Sequence, residues 1–323
     1  MLSRLLRTMV LAEMLGAAAI AGWLAADRGW EPAAALAAGI ATPIAVHAGI
    51  IALNCAIAWL AGSPTPAAHR IGVRGALATY LREVVDSIRV FQWALPWQAG
   101  RALPGEHEGG EHEGGEHDRG ATRPPARIPV VLVHGYLCNR QLWRPFARWL
   151  AARGHAVQGV DLEPVFGSID GYAPQIEDAV RTLRARTGAD RVAIVCHSMG
   201  GLAARAYLRA HPDAPVGCLV TLGTPHMGTA HARLGQGDNA RQMRPDSAWL
   251  QALAASESDA LRGRITIVLS HHDNIVAPQA LQTLPGARVV EFSGLGHLSL
   301  AMDRAVWQVV AEALDEMRAR LPG

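Results

Sequence analysis

The chain has 323 residues, enough for one large domain or two modest ones and too long for a miniprotein stapled by disulfides. Its 30 cations, all arginine, stand against 28 acids for a net charge of +2, a balance that gives no nucleic-acid-binding character. Half of the residues are hydrophobic and only 18% are charged, below the roughly 25% of an ordinary soluble domain, so part of the apolar sequence is expected to sit in a membrane.

Two apolar runs open the chain. Thr8 to Ala26 follows Arg4 and Arg7 and is interrupted by Glu13; Ala33 to Ala61 is the stronger run. Within the second, Ala41 to Ala61 would rise about 30 Å as a helix, enough to cross a hydrocarbon core, with His47 and Asn54 as its polar interruptions. Residues 1–70 are therefore expected to form a membrane anchor of two transmembrane helices. The rival reading of the first run is a secretory signal, with Ala19-Ile20-Ala21 as its cleavage sequence. The short connection carries Arg28 between Asp27 and Glu31, whereas Arg70, Arg74, Arg82 and Arg89 follow the second run. That bias predicts both ends, and with them the rest of the chain, in the cytoplasm; a first run kept out of the bilayer by Glu13 would reverse the side.

Residues 71–100 mix aliphatic, aromatic and charged residues at helical spacing, which predicts an amphipathic helix lying on the membrane surface or packed on the neighbouring domain. Residues 101–124 include the repeat Glu106-His107-Glu108-Gly109-Gly110 and its successors. The repeat has nothing apolar to bury, so the stretch reads as a disordered linker. Its His and Glu could bind a divalent ion loosely, but a mobile glycine-rich tract does not preorganise ligands, and no functional metal is expected.

From residue 125 to 323, short apolar strands alternate with helices. Val130 to Val133, Ala156 to Val160, Arg191 to Cys196, Cys218 to Leu222, Ile265 to Leu269 and Arg288 to Phe292 read as strands. Gln141 to Ala152, Ala173 to Arg186, Met199 to Ala210 and Leu300 to Arg320 read as helices. This α/β order predicts a mostly parallel sheet with helices on both faces and chemistry at the carboxyl ends of the strands.

The residues at those ends suit acyl transfer. Ser198, in Cys196-His197-Ser198-Met199-Gly200, falls between a strand and a helix, where a tight turn projects a nucleophile and the helix start offers N–H groups to an oxyanion. Cys196 stands where a glycine is usual. His134-Gly135-Tyr136 ends the first strand, so the N–H groups of Tyr136 and Met199 are the expected oxyanion donors. His297, in a glycine-bearing loop before the last helix, is the expected base. Asp273, after the penultimate strand, is its orienting acid, with Asp303 and Asp161 as competitors. His197 is expected to point away from the serine.

Taken in order, His134-Gly135, His197-Ser198-Met199-Gly200-Gly201, Leu222-Gly223-Thr224-Pro225-His226-Met227-Gly228-Thr229, Asp273-Asn274-Ile275-Val276 and Gly296-His297 resemble the motifs of the α/β-hydrolase superfamily, and within it the bacterial lipases and esterases. The resemblance covers residues 125–323. It implies a serine hydrolase that cleaves carboxylic esters of lipid or other apolar acyl substrates through Ser198, Asp273 and His297, with no cofactor. It also implies that residues 226–262 cap the site, with Trp249, Leu250 and Leu253 either touching the acyl chain or packing within the helices. No acid cluster can be matched to the calcium site of secreted lipases, and Cys55, Cys138, Cys196 and Cys218 suggest no disulfide. An acyltransferase or thioesterase would use the same triad. A noncatalytic membrane scaffold is the reading from another class.

Overall fold

Six short strands lie side by side, all parallel, in the order β2-β1-β3-β4-β5-β6 in a computed structural model that describes residues 2–106 and 127–320. They are β1 (Val130–Val133), β2 (Val157–Val160), β3 (Val192–His197), β4 (Val216–Leu222), β5 (Ile265–Ser270) and β6 (Arg288–Phe292). Every residue of β1, β3 and β5 is buried. This is why those strands read as continuous apolar runs, since helices cover both faces. β6, on the edge, buries no residue fully and exposes Arg288, Val289 and Glu291.

The chain begins with two long apolar helices, α1 (Leu2–Ala26) and α2 (Pro32–Ala61), that pack along each other. Both are long and apolar enough to cross a membrane. Glu31 caps α2 by accepting the Ala34 N–H, and Pro32 follows at the first turn, where its missing donor costs nothing.

The next helix, α3 (Gly72–Ser87), widens into a π-helical stretch over Ile88–Ala94. Its orientation is inverted relative to an ordinary amphipathic helix. Glu83, Asp86 and Ser87 are buried against the sheet domain, while the stripe Val73, Leu77, Leu81 and Val85 is exposed. Thus the helix packs on the neighbouring domain through polar residues and presents its apolar stripe outward.

Residues 101–106 of the expected linker also pack on the sheet domain. The Val157 N–H donates to the Gly105 carbonyl, and the buried Glu106 carboxylate accepts the Gly159 N–H at 2.8 Å. Leu103 supplies the apolar residue that holds this stretch down. The rest of the linker, residues 107–124, lies outside the described residues.

In the sheet domain α4 (Arg144–Ala151) starts later than expected, because Asn139 first caps a tight turn over Arg140–Trp143. Then come α5 (Ala173–Thr187), ended by left-handed Gly188, and α6 (Met199–Ala210). The single last helix expected from the sequence is two, α7 (His297–Met302) and α8 (Arg304–Ala319). Asp303 breaks them: its backbone is extended, and its carboxylate accepts the N–H groups of Ala305 and Val306 as the cap of α8.

Candidate active site

Ser198 ends β3 and starts α6 with φ +55° and ψ −131°, a conformation that few residues other than glycine adopt. The turn is over-determined by hydrogen bonds. Ser198 donates its N–H to the Leu222 carbonyl at 2.9 Å, and its own carbonyl accepts the Thr224 hydroxyl at 2.8 Å. The following helix passes so near β1 that a Cβ on Gly200 would lie 2.5 Å from the His134 carbonyl oxygen. Glycine is therefore required two residues after the serine. Two residues before it, Cys196 is fully buried and fits. Burial raises its thiol pKa well above the ordinary value, so the sulfur serves as a small apolar side chain.

Asp273 and His297 are brought together as expected. His297 Nδ1 lies 2.8 Å from Asp273 Oδ2, and the other carboxylate oxygen accepts the N–H groups of Ile275 and Val276, each at 2.8 Å. Those bonds fix the carboxylate, which in turn fixes the ring with Nε2 free to take a proton. Burial disfavours the imidazolium, but the charge of Asp273, its hydrogen bond and the charge of Glu83 outweigh this, and the His297 pKa is raised. Ser198 and His297 line one cavity of about 370 Å³. The two competitors for the acid role are engaged elsewhere. Asp161 accepts the Arg140 N–H and pairs with its guanidinium, and Asp303 pairs with Arg82.

Gly135, Tyr136 and Leu137 line the same cavity. His134 ties this loop to the end of β2, accepting the Leu162 N–H on Nε2 and donating from Nδ1 to the Gly135 carbonyl. The Tyr136 hydroxyl donates to the Gln236 carbonyl at 2.9 Å. Met199 follows the serine at the first turn of α6, with its N–H free of the helix ladder.

Three further residues shape the site, none of them given a role in it from the sequence. Glu83, from α3, accepts the Leu298 N–H at 2.8 Å, the Ser299 N–H at 3.0 Å and the Ser299 hydroxyl at 2.8 Å. It thereby holds the turn that carries His297. Burial pushes its own pKa up, against these three donors. His197, expected to point away, lies with its ring 4.6 Å from that of His297 and its Nε2 2.9 Å from the His297 carbonyl oxygen, to which it donates. Burial and the neighbouring His297 lower its pKa to about 3, so it stays neutral. Gly223, at φ +58°, passes over the pair: a Cβ there would lie 3.1 Å from Asp273 Oδ2 and 3.2 Å from His297 Nδ1. Its place in Leu222-Gly223-Thr224-Pro225 was the available signal.

Of the two roles open to Trp249, Leu250 and Leu253, the structure shows packing. Leu250 and Leu253 are buried in the core beside α6, and Trp249 donates its ring N–H to Asp170. The cavity is instead walled by the opening helices: Leu6, Met9 and Val10 from α1, Ile50 and Ile51 from α2, and Phe91 after α3. Glu13, the acid that interrupts the first apolar run, also faces this cavity and accepts a hydrogen bond from Gln92. An internal partner explains how an acid is accommodated in so apolar a helix.

A family profile for the alpha/beta hydrolase fold matches residues 128–239. Triacylglycerol lipases from Pseudarthrobacter phenanthrenivorans and Burkholderia plantarii are each 29% identical over 181 residues, 53% of this chain and 54% and 49% of theirs. The chain thus spans about half the length of the curated relatives it matches. Among solved structures, the mature Bacillus licheniformis lipase BlEst2 superposes with a TM-score of 0.53 at 19% identity, covering 60% of this chain and 94% of that one. Aspergillus fumigatus lipase B gives 0.51 at 18% identity, covering 58% and 52%. With its parallel sheet, strand-end serine and matched profile, the sheet domain has the α/β-hydrolase fold and is similar in sequence to triacylglycerol lipases.

Proposed function

We propose that the protein is a membrane-anchored serine hydrolase that cleaves carboxylic esters of lipid or other apolar acyl substrates. One observation carries this reading: the cavity that holds Ser198 and His297 is walled by the apolar side chains of α1 and α2, the two helices long enough to span a bilayer. An acyl chain lying between those helices reaches the serine without crossing water, and its burial contributes about 0.8 kcal/mol per methylene. The outward stripe of α3, with Trp93 exposed beyond it, suits the membrane interface. The polar face of that helix is already used by the sheet domain.

In this reading Ser198 Oγ attacks the ester carbonyl while His297 Nε2 takes its proton. The N–H groups of Tyr136 and Met199 stabilise the tetrahedral oxyanion, and the imidazolium, held by Asp273, returns the proton to the leaving alcohol. An acyl-enzyme on Ser198 results, and water activated by His297 releases the acid. The matched lipases of the two relatives support an ester as substrate. Fatty acid release from mixed micelles of glycerolipid by the full chain, abolished by Ser198→Ala, tests the proposal. No release by folded wild-type protein from any ester would contradict it.

A further inference from the structure

Away from the cavity, three side chains from three separate segments converge on one point. His69 lies in the connector between α2 and α3, His271 follows β5, and Glu291 sits near the end of β6. Their ligand atoms all lie within 4.8 Å of one another. His69 Nε2 is 3.3 Å from Glu291 Oε2, and His271 Nε2 is 3.4 Å from Glu291 Oε1. Ligands bound tetrahedrally at 2.0–2.1 Å are separated by about 3.3–3.4 Å along each edge, so these spacings suit one small cation.

The surroundings orient the ligands as well. His69 Nδ1 is 2.8 Å from the Ser293 hydroxyl, which fixes the ring with Nε2 turned to the shared point. Metal-binding histidines almost always have such a partner on the other nitrogen. The Nε2 of His271 is buried and makes no hydrogen bond among the described residues, although Glu291 is beside it. The two imidazoles lie with ring centroids 4.3 Å apart at a 34° tilt, and each directs its Nε2 to one oxygen of Glu291.

We propose that His69, His271 and Glu291 bind one divalent transition-metal ion, of the zinc type, that clasps the anchor connector to the hydrolase domain. Two imidazoles and one carboxylate match the nitrogen and oxygen preference of Zn²⁺ and leave a fourth position for water. The clasp is structural. His271 stands two residues before Asp273, and a hydrogen bond from the Ser63 N–H to Gln279 ties the same connector to the same domain. Its role is to hold α1, α2 and α3 in place over the site.

The test uses the full chain in detergent, without an oligohistidine tag, and with His107, His112 and His117 replaced by alanine so that the repeat contributes no ligands. After zinc loading and dialysis, one equivalent is expected to remain. His69→Ala or His271→Ala should remove it, and a Co²⁺-loaded sample should show the strong visible bands of four-coordinate cobalt. Fluorophosphonate labelling of Ser198 in each variant reports that the fold is intact. Should the alanine variants not fold, Ser293→Ala keeps all three ligands and is expected to weaken zinc binding by about tenfold. The proposal is overturned if the repeat-free chain retains no zinc, if retention survives loss of His69 and His271, or if Ser293→Ala leaves the affinity unchanged.

Discussion

The Glu83 carboxylate binds Ser299 twice, accepting both its backbone N–H and its hydroxyl, across 216 positions of sequence. This joins the helix after the two long apolar helices to the first turn of the helix that starts with His297. Removing the carboxylate in Glu83→Ala leaves buried donors unpaired at about 1–3 kcal/mol each. We expect kcat to fall by about 100-fold with KM little changed, since the displaced group is the base and not the acyl wall. An unchanged kcat would show that the turn holds itself.

The pH profile gives a separate readout of the same contact. A base must be neutral to accept a proton, and the His297 pKa is raised, so the acidic limb of kcat/KM should lie above the ordinary histidine value. Glu83→Gln keeps an acceptor but removes the negative charge, which is one of the groups raising that pKa. The limb should move to lower pH. An unmoved limb would mean that Glu83 carries no charge over the working range and does not raise the His297 pKa.

His197 braces the catalytic turn from the sheet side through its hydrogen bond to the His297 carbonyl. His197→Phe keeps the ring volume and loses the donor. A hydrogen bond worth about 1.4 kcal/mol corresponds to roughly a tenfold loss in rate. Steady-state kinetics on a soluble short-chain ester would measure it, and a variant as fast as wild type would exclude the bracing role.

The acyl wall can be tested by filling it. Met9→Trp or Ile51→Trp places bulk into the cavity from α1 or α2. We expect long-chain esters to lose kcat/KM by about tenfold or more while the shortest esters are nearly unaffected. Equal loss for all chain lengths would mean that the acyl chain lies elsewhere.

How far the sequence could be read depended on whether the relevant signal was local. The strands were legible because burial on both faces makes each an unbroken apolar run, as in Val130 to Val133. The positions of Ser198, Asp273 and His297 were legible because they follow the ends of β3, β5 and β6, where turn residues mark them. Glu83 was not legible, because an acid in a helix ordinarily marks the solvent face. Here the exposed side is the apolar stripe Val73, Leu77, Leu81 and Val85. The wall of the cavity was not legible for a related reason: apolar residues on α1 and α2 already had an explanation in the bilayer, and only tertiary packing turns Met9 and Ile51 toward the serine. Asp303 broke the last helix because capping, a local preference, outweighed the apolar periodicity on either side.

The most direct test of the central claim is labelling by a fluorophosphonate in membranes that carry the full chain, beside a Ser198→Ala version. The account predicts that one labelled band appears with wild-type protein and is lost with Ser198→Ala. Labelling should also be slowed by an ester of long acyl chain that competes for the cavity. Folded wild-type protein that takes up no label, or label that persists in Ser198→Ala, would contradict it.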